Sequence, residues 1–113
     1  MANAADIAVS AIRALDRARE VVANNLANMN TGGFQKSRAV TEQAETPGVT
    51  LRVEQLSLPI DTVSLGGQTK TASSVDPAEE LVSLMVNRHS YDANIQALRN
   101  AEEMQGTLFD LFG

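Results

Sequence analysis

From Asp6 to Met29 apolar residues recur at intervals of three, four and seven, at Ala8, Ile12, Leu15, Val22, Leu26 and Met29. Ala8, Leu15, Val22 and Met29 keep strict heptad register, and the pattern predicts an amphipathic helix. Alanines at positions 4, 5, 8, 11, 14, 18, 23 and 27 raise its propensity and keep its surface slim, so a second helix can approach closely. Arg13, Asp16, Arg17 and Glu20 form the opposing face. Beyond Gly32 the period changes. "GVTLRVEQLSL" alternates at Val49, Leu51 and Val53, then shifts register to Leu56, Leu58 and Ile60, the two-residue repeat of half-buried strands. Pro47-Gly48 precedes it, and Gly66-Gly67 is compatible with a tight hairpin into "QTKTA". The polar "KSRAVTEQAET" has little pattern and is expected to be a loop.

The last segment opens with "SSVDPAEE": Asp76 can cap, Pro77 suits the first helical position, and Glu79 stands where the return arm of a capping box belongs. No proline follows, and Gly106 is the only glycine before Leu111. One helix of ~35 residues would be ~52 Å long, far longer than a compact globule of this size, whose radius of gyration is ~13 Å, so the shape is expected to be elongated. Leu81, Val82, Leu84 and Met85 spread around a wide arc, as do Met104, Leu108, Phe109, Leu111 and Phe112, whereas Tyr91, Ile95 and Leu98 form a narrow stripe. One N-terminal helix covers only a strip of such a surface. The remaining apolar arc at either end is expected to be exposed in an isolated chain and covered by other copies.

The last two turns of the first helix and the residues after it read "NNLANMNTGGFQK". Asparagine costs roughly half a kcal/mol relative to alanine inside a helix, so Asn24, Asn25 and Asn28 need a reason to be there. Asn30, Gly32 or Gly33 in the left-handed conformation would end the helix but would not explain the earlier three. Buried or interfacial asparagines that pair amide to amide or amide to backbone fix the register between packed helices, which is the role expected of Asn25 and Asn28 in self-assembly.

Composition narrows the function classes. There is no Trp, one Tyr and three Phe, so the core must be aliphatic and thin. The net charge of -5 argues against backbone-driven nucleic-acid binding and against anionic membranes. No cysteine is present, which excludes disulfides and thiolate metal sites. The N-terminal segment lacks a basic region ahead of an unbroken apolar run, so no cleaved signal peptide is expected, and no stretch is long and apolar enough for membrane insertion. His89, Ser90 and Asp92 do not make a triad: on one helix neighbouring side chains diverge and only His89 and Asp92 can meet. Glu79-Glu80 and Glu102-Glu103 read as capping and solvated charge rather than a metal site, and "GGFQK" lacks the phosphate-loop pattern. No cofactor, metal or catalytic residue is expected.

"SAIRALDRAREVVANNLANMNTGGFQKSRA" resembles the N-terminal signature of the flagellar axial proteins, the rod, hook and hook-junction family, through Asn24, Asn25, Leu26, Ala27, Asn28, Thr31, Gly33 and Phe34. "VDPAEELVSLMVNRHSYDANIQALRNAEEMQGTLFDL" resembles the family's C-terminal helix through Glu79-Glu80-Leu81-Val82, Tyr91, Ala93-Asn94 and Glu103-Met104. The short middle brings it nearest to the proximal rod proteins. The resemblance implies a mainly α fold in which long terminal helices form a coiled-coil-like hairpin around a short β-rich or irregular middle, divided at residues 1-31, 32-75 and 76-113. It implies a structural subunit of the periplasmic rod, exported by the flagellar type III apparatus and polymerising with itself and other axial proteins. The expected contact residues are Leu15, Val22, Asn25, Leu26, Asn28, Phe34, Leu84, Tyr91, Ile95, Leu98 and Leu108. A soluble helical adaptor or chaperone-like module that binds other export substrates is the alternative.

Overall fold

The computed structural model describes residues 3–60, 62–65 and 68–112. The elements are α1 (Ala4–Ala27), β1 (Ser37–Gln43), β2 (Val49–Gln55), β3 (Thr62–Leu65), β4 (Gln68–Thr71) and α2 (Pro77–Phe112). The chain is mainly α, with two separate antiparallel pairs, β1-β2 and β3-β4, in the middle. Its extents are 78 × 25 × 14 Å and its radius of gyration 19.9 Å. The elongation follows from α2, whose 36 residues run ~54 Å without a break.

Helix α1 begins one turn earlier than its apolar period. Asn3 accepts from the Asp6 amide at 2.9 Å while the Asp6 carboxylate accepts from the Asn3 amide, a reciprocal cap that satisfies two helix-end donors. At the other end Asn28 is the C-cap residue and Gly33, with φ +76°, takes the left-handed conformation. Asn30 and Gly32 do not. Asp76 caps α2 through the Ala78 amide at 3.1 Å, and Pro77 is its first residue. Glu79 does not return to the cap; its carboxylate goes to Lys36 instead.

The segment expected to be a loop is strand β1. Its pairing with β2 runs from Ser37 opposite Gln55 to Gln43 opposite Val49, and it supplies an order that the polar sequence does not advertise. Charges alternate onto one face: Arg38 meets Glu54 at 2.8 Å, and Arg52 meets Glu42 at 2.7 Å and also Glu54. The other face presents Val49 and Leu51, both half-buried, towards α1, where they line a recess with Ser10, Ala14 and Arg17. Of the alternation expected at Val49, Leu51 and Val53, the first two are half-buried and Val53 is exposed, and β2 stops at Gln55, so Leu56, Leu58 and Ile60 are not strand. Gln35 holds Leu58 instead, donating to its carbonyl at 3.1 Å and accepting from its amide at 3.0 Å. β3 pairs with β4 from Thr62 opposite Thr71 to Leu65 opposite Gln68, and the Gly66-Gly67 turn lies outside the described residues.

The hydrogen bond from Arg38, and next that from Arg52, holds the Glu54 carboxyl below the usual carboxylate range. A depressed folded-state pKa contributes stability that is present above the unfolded value and lost as pH falls through the folded one. Protection of the β1-β2 amides, corrected for intrinsic exchange, is therefore expected to fall as pH drops through the carboxylate range, and to fall less steeply in Glu54→Gln.

Gly48, in the β1-β2 connection, sits at φ +144°, and a Cβ there would stand 2.8 Å from Ser10 Oγ. That hydroxyl donates to the Ile7 carbonyl at 2.7 Å and accepts from the Val49 amide at 3.0 Å, tying the hairpin to α1. Gly48→Ala is expected to cost about 1–3 kcal/mol in urea unfolding through backbone strain and displacement of Ser10.

Candidate functional site

Among the described residues a core of large side chains is missing. The buried apolar ones there are Ala8, Ala14, Val22, Val75 and Ala101, and the largest fully buried side chain is Asn25. At 1 % exposure its amide donates to the Ser37 carbonyl at 2.8 Å and accepts from the Ser37 amide at 3.0 Å. Both backbone groups of the first β1 residue are thereby satisfied by one side chain of α1. Within this chain these bonds join helix α1 to strand β1, which differs from the register between packed helices expected of Asn25.

The residues just before Ser37 tie the same place to the approach of α2. The Gly33 amide donates to Ala72 O at 3.1 Å, the Ser74 amide to Phe34 O at 2.9 Å, and the Lys36 amide to Ser74 Oγ at 2.8 Å. Lys36 itself is buried and reaches Glu79 at 3.2 Å and Glu80 at 3.9 Å. The shorter contact is the weaker one: the Glu79 side chain is 62 % exposed and its pair is screened by water. Glu80 is 7 % exposed, so Lys36 is the neighbouring cation for a desolvated carboxylate. Two turns further along the same face, Asn87 donates to the Leu15 carbonyl at 2.9 Å and joins the two helices directly. Its Oδ1 is the one buried side-chain polar atom without a partner among the described residues. A cavity of about 240 Å³ lies between these groups, lined by Val22, Asn25, Lys36, Glu80, Ser83 and Asn87.

The expected contact residues fall into three groups. Val22 and Asn25 are buried, and Leu15, Leu26, Asn28, Phe34, Leu84, Tyr91, Ile95 and Leu98 are half-buried, so the chain itself covers much of them. Asn28 spends its side chain locally, donating to Asn24 O at 2.9 Å and accepting from Thr31 Oγ1 at 3.1 Å. Tyr91 lies under the Arg19 guanidinium at 5.2 Å, a cation–π contact between the helices. Leu108 is exposed, and so is everything around it: residues 102–112 are exposed throughout, including Met104, Phe109, Leu111 and Phe112. A second exposed apolar face occupies the first turns of α2, at Leu81, Val82, Met85 and Val86.

Sequence reasoning missed Asn3, Lys36 and Asn87. Asn87 carried a signal, since asparagine in mid-helix is as unfavourable there as at Asn25; Lys36 carried none, because its partners are more than forty residues away. His89 and Asp92 are exposed and Ser90 is half-buried on α2. Among the described residues no cluster of metal-ligating side chains occurs, and no helix is long and apolar enough to cross a membrane.

Two family models match, one at each end of the chain: flagella basal body rod protein over residues 6–35, and flagellar basal body rod FlgEFG protein C-terminal over residues 71–111. Together they cover more than half of it, taking in α1 with its asparagine-rich end and nearly all of α2. No curated protein matches the chain.

Proposed function

The chain belongs to the flagellar basal-body rod protein family, a family of structural components, and we propose that it is a subunit of the rod that assembles with itself and other rod proteins through its terminal helices. In this reading residues 1-31 and 76-113 are the axial segments, packed as a coiled-coil-like hairpin, and 32-75 is the piece between them. The subunit reaches the periplasm through the flagellar type III apparatus.

One observation carries the proposal: α2 presents large apolar side chains to solvent at both ends, Leu81 to Val86 and Met104 to Phe112, while its middle is half-covered by its own chain. Contiguous apolar surface of this extent marks an interaction site. The Asn25, Lys36 and Asn87 contacts support the same reading, because they tie α1 to β1, the approach of β1 to α2, and α2 to α1 with hydrogen bonds and charge where a monomer of this size would ordinarily use bulky side chains. Recovery of the tagged chain with purified basal bodies tests the proposal. A chain that instead stays in the soluble fraction, bound stoichiometrically to export substrates, would favour the adaptor alternative.

A further inference from the structure

The two exposed apolar faces of α2 are different surfaces. At about 100° per residue, Leu81, Val82, Met85 and Val86 span an arc of about 140°, opposite the stripe of Glu80, Asn87, Tyr91 and Leu98 that faces the rest of the chain. Leu111, Met104, Leu108, Phe112 and Phe109 span an arc of about 160°, centred about 120° away from the first and ~37 Å further along the axis. A single neighbouring helix cannot lie against both. A reciprocal two-fold dimer, in which each copy gives its tail to the other and receives one, is excluded for the same reason, since both faces would have to point at the same partner.

Charge disfavours one of the possible pairings. After Arg99 the chain carries Glu102, Glu103 and Asp110 and no Lys or Arg, and the last turn of α2 has no basic residue to offset its carbonyl ends. Tail against tail would therefore oppose acid to acid. The first face is less acidic than the tail: the exposed Arg88 lies beside it together with Asp92, and Glu79 shares Lys36 through a contact screened by water. Area is consistent with the same pairing. The exposed portions of the tail side chains amount to roughly 700 Å² and those of the first face to roughly 400 Å², together near the lower bound of a specific interface.

Resting on the reading that the chain self-associates, we infer that the tail of one copy, Met104 to Phe112, docks on the Leu81, Val82, Met85 and Val86 face of the next. The contact is head-to-tail and leaves one unused face at each end, so it propagates and does not close at a dimer.

Two variants test it, both altering only exposed side chains: Leu108→Asp with Phe109→Asp, which disables the tail, and Met85→Asp with Val86→Asp, which disables the receiving face. Each is expected to keep the helix content of the unaltered chain by circular dichroism. By light scattering the unaltered chain is expected to form a series of species beyond the dimer, and each variant alone to remain a monomer. An equimolar mixture is expected to double in mass and stop there, because one intact tail finds one intact receiving face. If either variant alone still forms dimers, or the mixture stays monomeric while the unaltered chain assembles, the head-to-tail pairing is wrong and self-association stands by another surface. A monomeric unaltered chain at millimolar concentration would overturn both.

Discussion

Asn25→Ala is expected to destabilise the chain by about 2–4 kcal/mol, although alanine is the better helix former by roughly half a kcal/mol. The side chain is almost fully enclosed and makes two hydrogen bonds to one residue, Ser37, at 2.8 and 3.0 Å. Its removal strands a backbone N–H and a backbone C=O together and leaves β1 without its anchor on α1. Asn24→Ala provides the contrast. Asn24 is exposed, and its side chain makes only a 3.5 Å contact with Asn28. That substitution is expected to leave stability unchanged or to raise it by the helix-propensity difference. Thermal unfolding followed by circular dichroism separates the two: a domain of this size loses about 4–8 °C of Tm per kcal/mol, so Asn25→Ala is expected to melt at least 8 °C lower. Equal melting temperatures would mean that the asparagine contributes no more than its neighbour.

Lys36→Met has the second-largest expected effect. The methionine fills similar space, so the loss is electrical: Glu80, with its side chain 7 % exposed, stays buried but loses the cation 3.9 Å away. Removing one member of a buried pair costs about 3–5 kcal/mol, chiefly because the surviving charge is left uncompensated. The expected value lies at the low end, since the pair is long and Glu79, 62 % exposed, shares the lysine. The diagnostic is the double variant. Lys36→Met with Glu80→Gln is expected to recover more than half of the loss in urea unfolding, whereas Lys36→Met with Glu79→Gln recovers little. Equal recovery from both would show that proximity rather than burial sets the strength of this pair.

These residues also mark where the sequence could be read and where it could not. The two helices announce themselves through period, propensity and the Asp76-Pro77 start, and the β middle through the alternation at Val49 and Leu51. Strand β1 does not, because "SRAVTEQ" places its two apolar residues, Ala39 and Val40, on opposite faces and shows no alternation; its order comes from partners, Glu54 and Arg52 across the pair and Asn25 from α1. Asn25 stood out because an unfavourable residue in a good helix demands compensation, but the identity of its partner, a backbone twelve residues on, needed the fold. Lys36 looked like any loop lysine. Glu79 looked like a capping residue and proved to be the exposed arm of a charge cluster, because the turn before it brings Lys36 within reach.

The exposed surface of α2 was legible for a simple reason. A helix of 36 residues cannot be covered by one of 24, and the residues left over at its end are Met104, Leu108, Phe109, Leu111 and Phe112 rather than polar ones. A chain that kept those side chains in water as a finished monomer would gain nothing from them. The account therefore requires that other copies cover them, and sedimentation velocity on the unaltered chain tests this most directly. Between micromolar and millimolar concentration the weight-average sedimentation coefficient is expected to rise continuously; a single boundary at the monomer value across the whole range would contradict it.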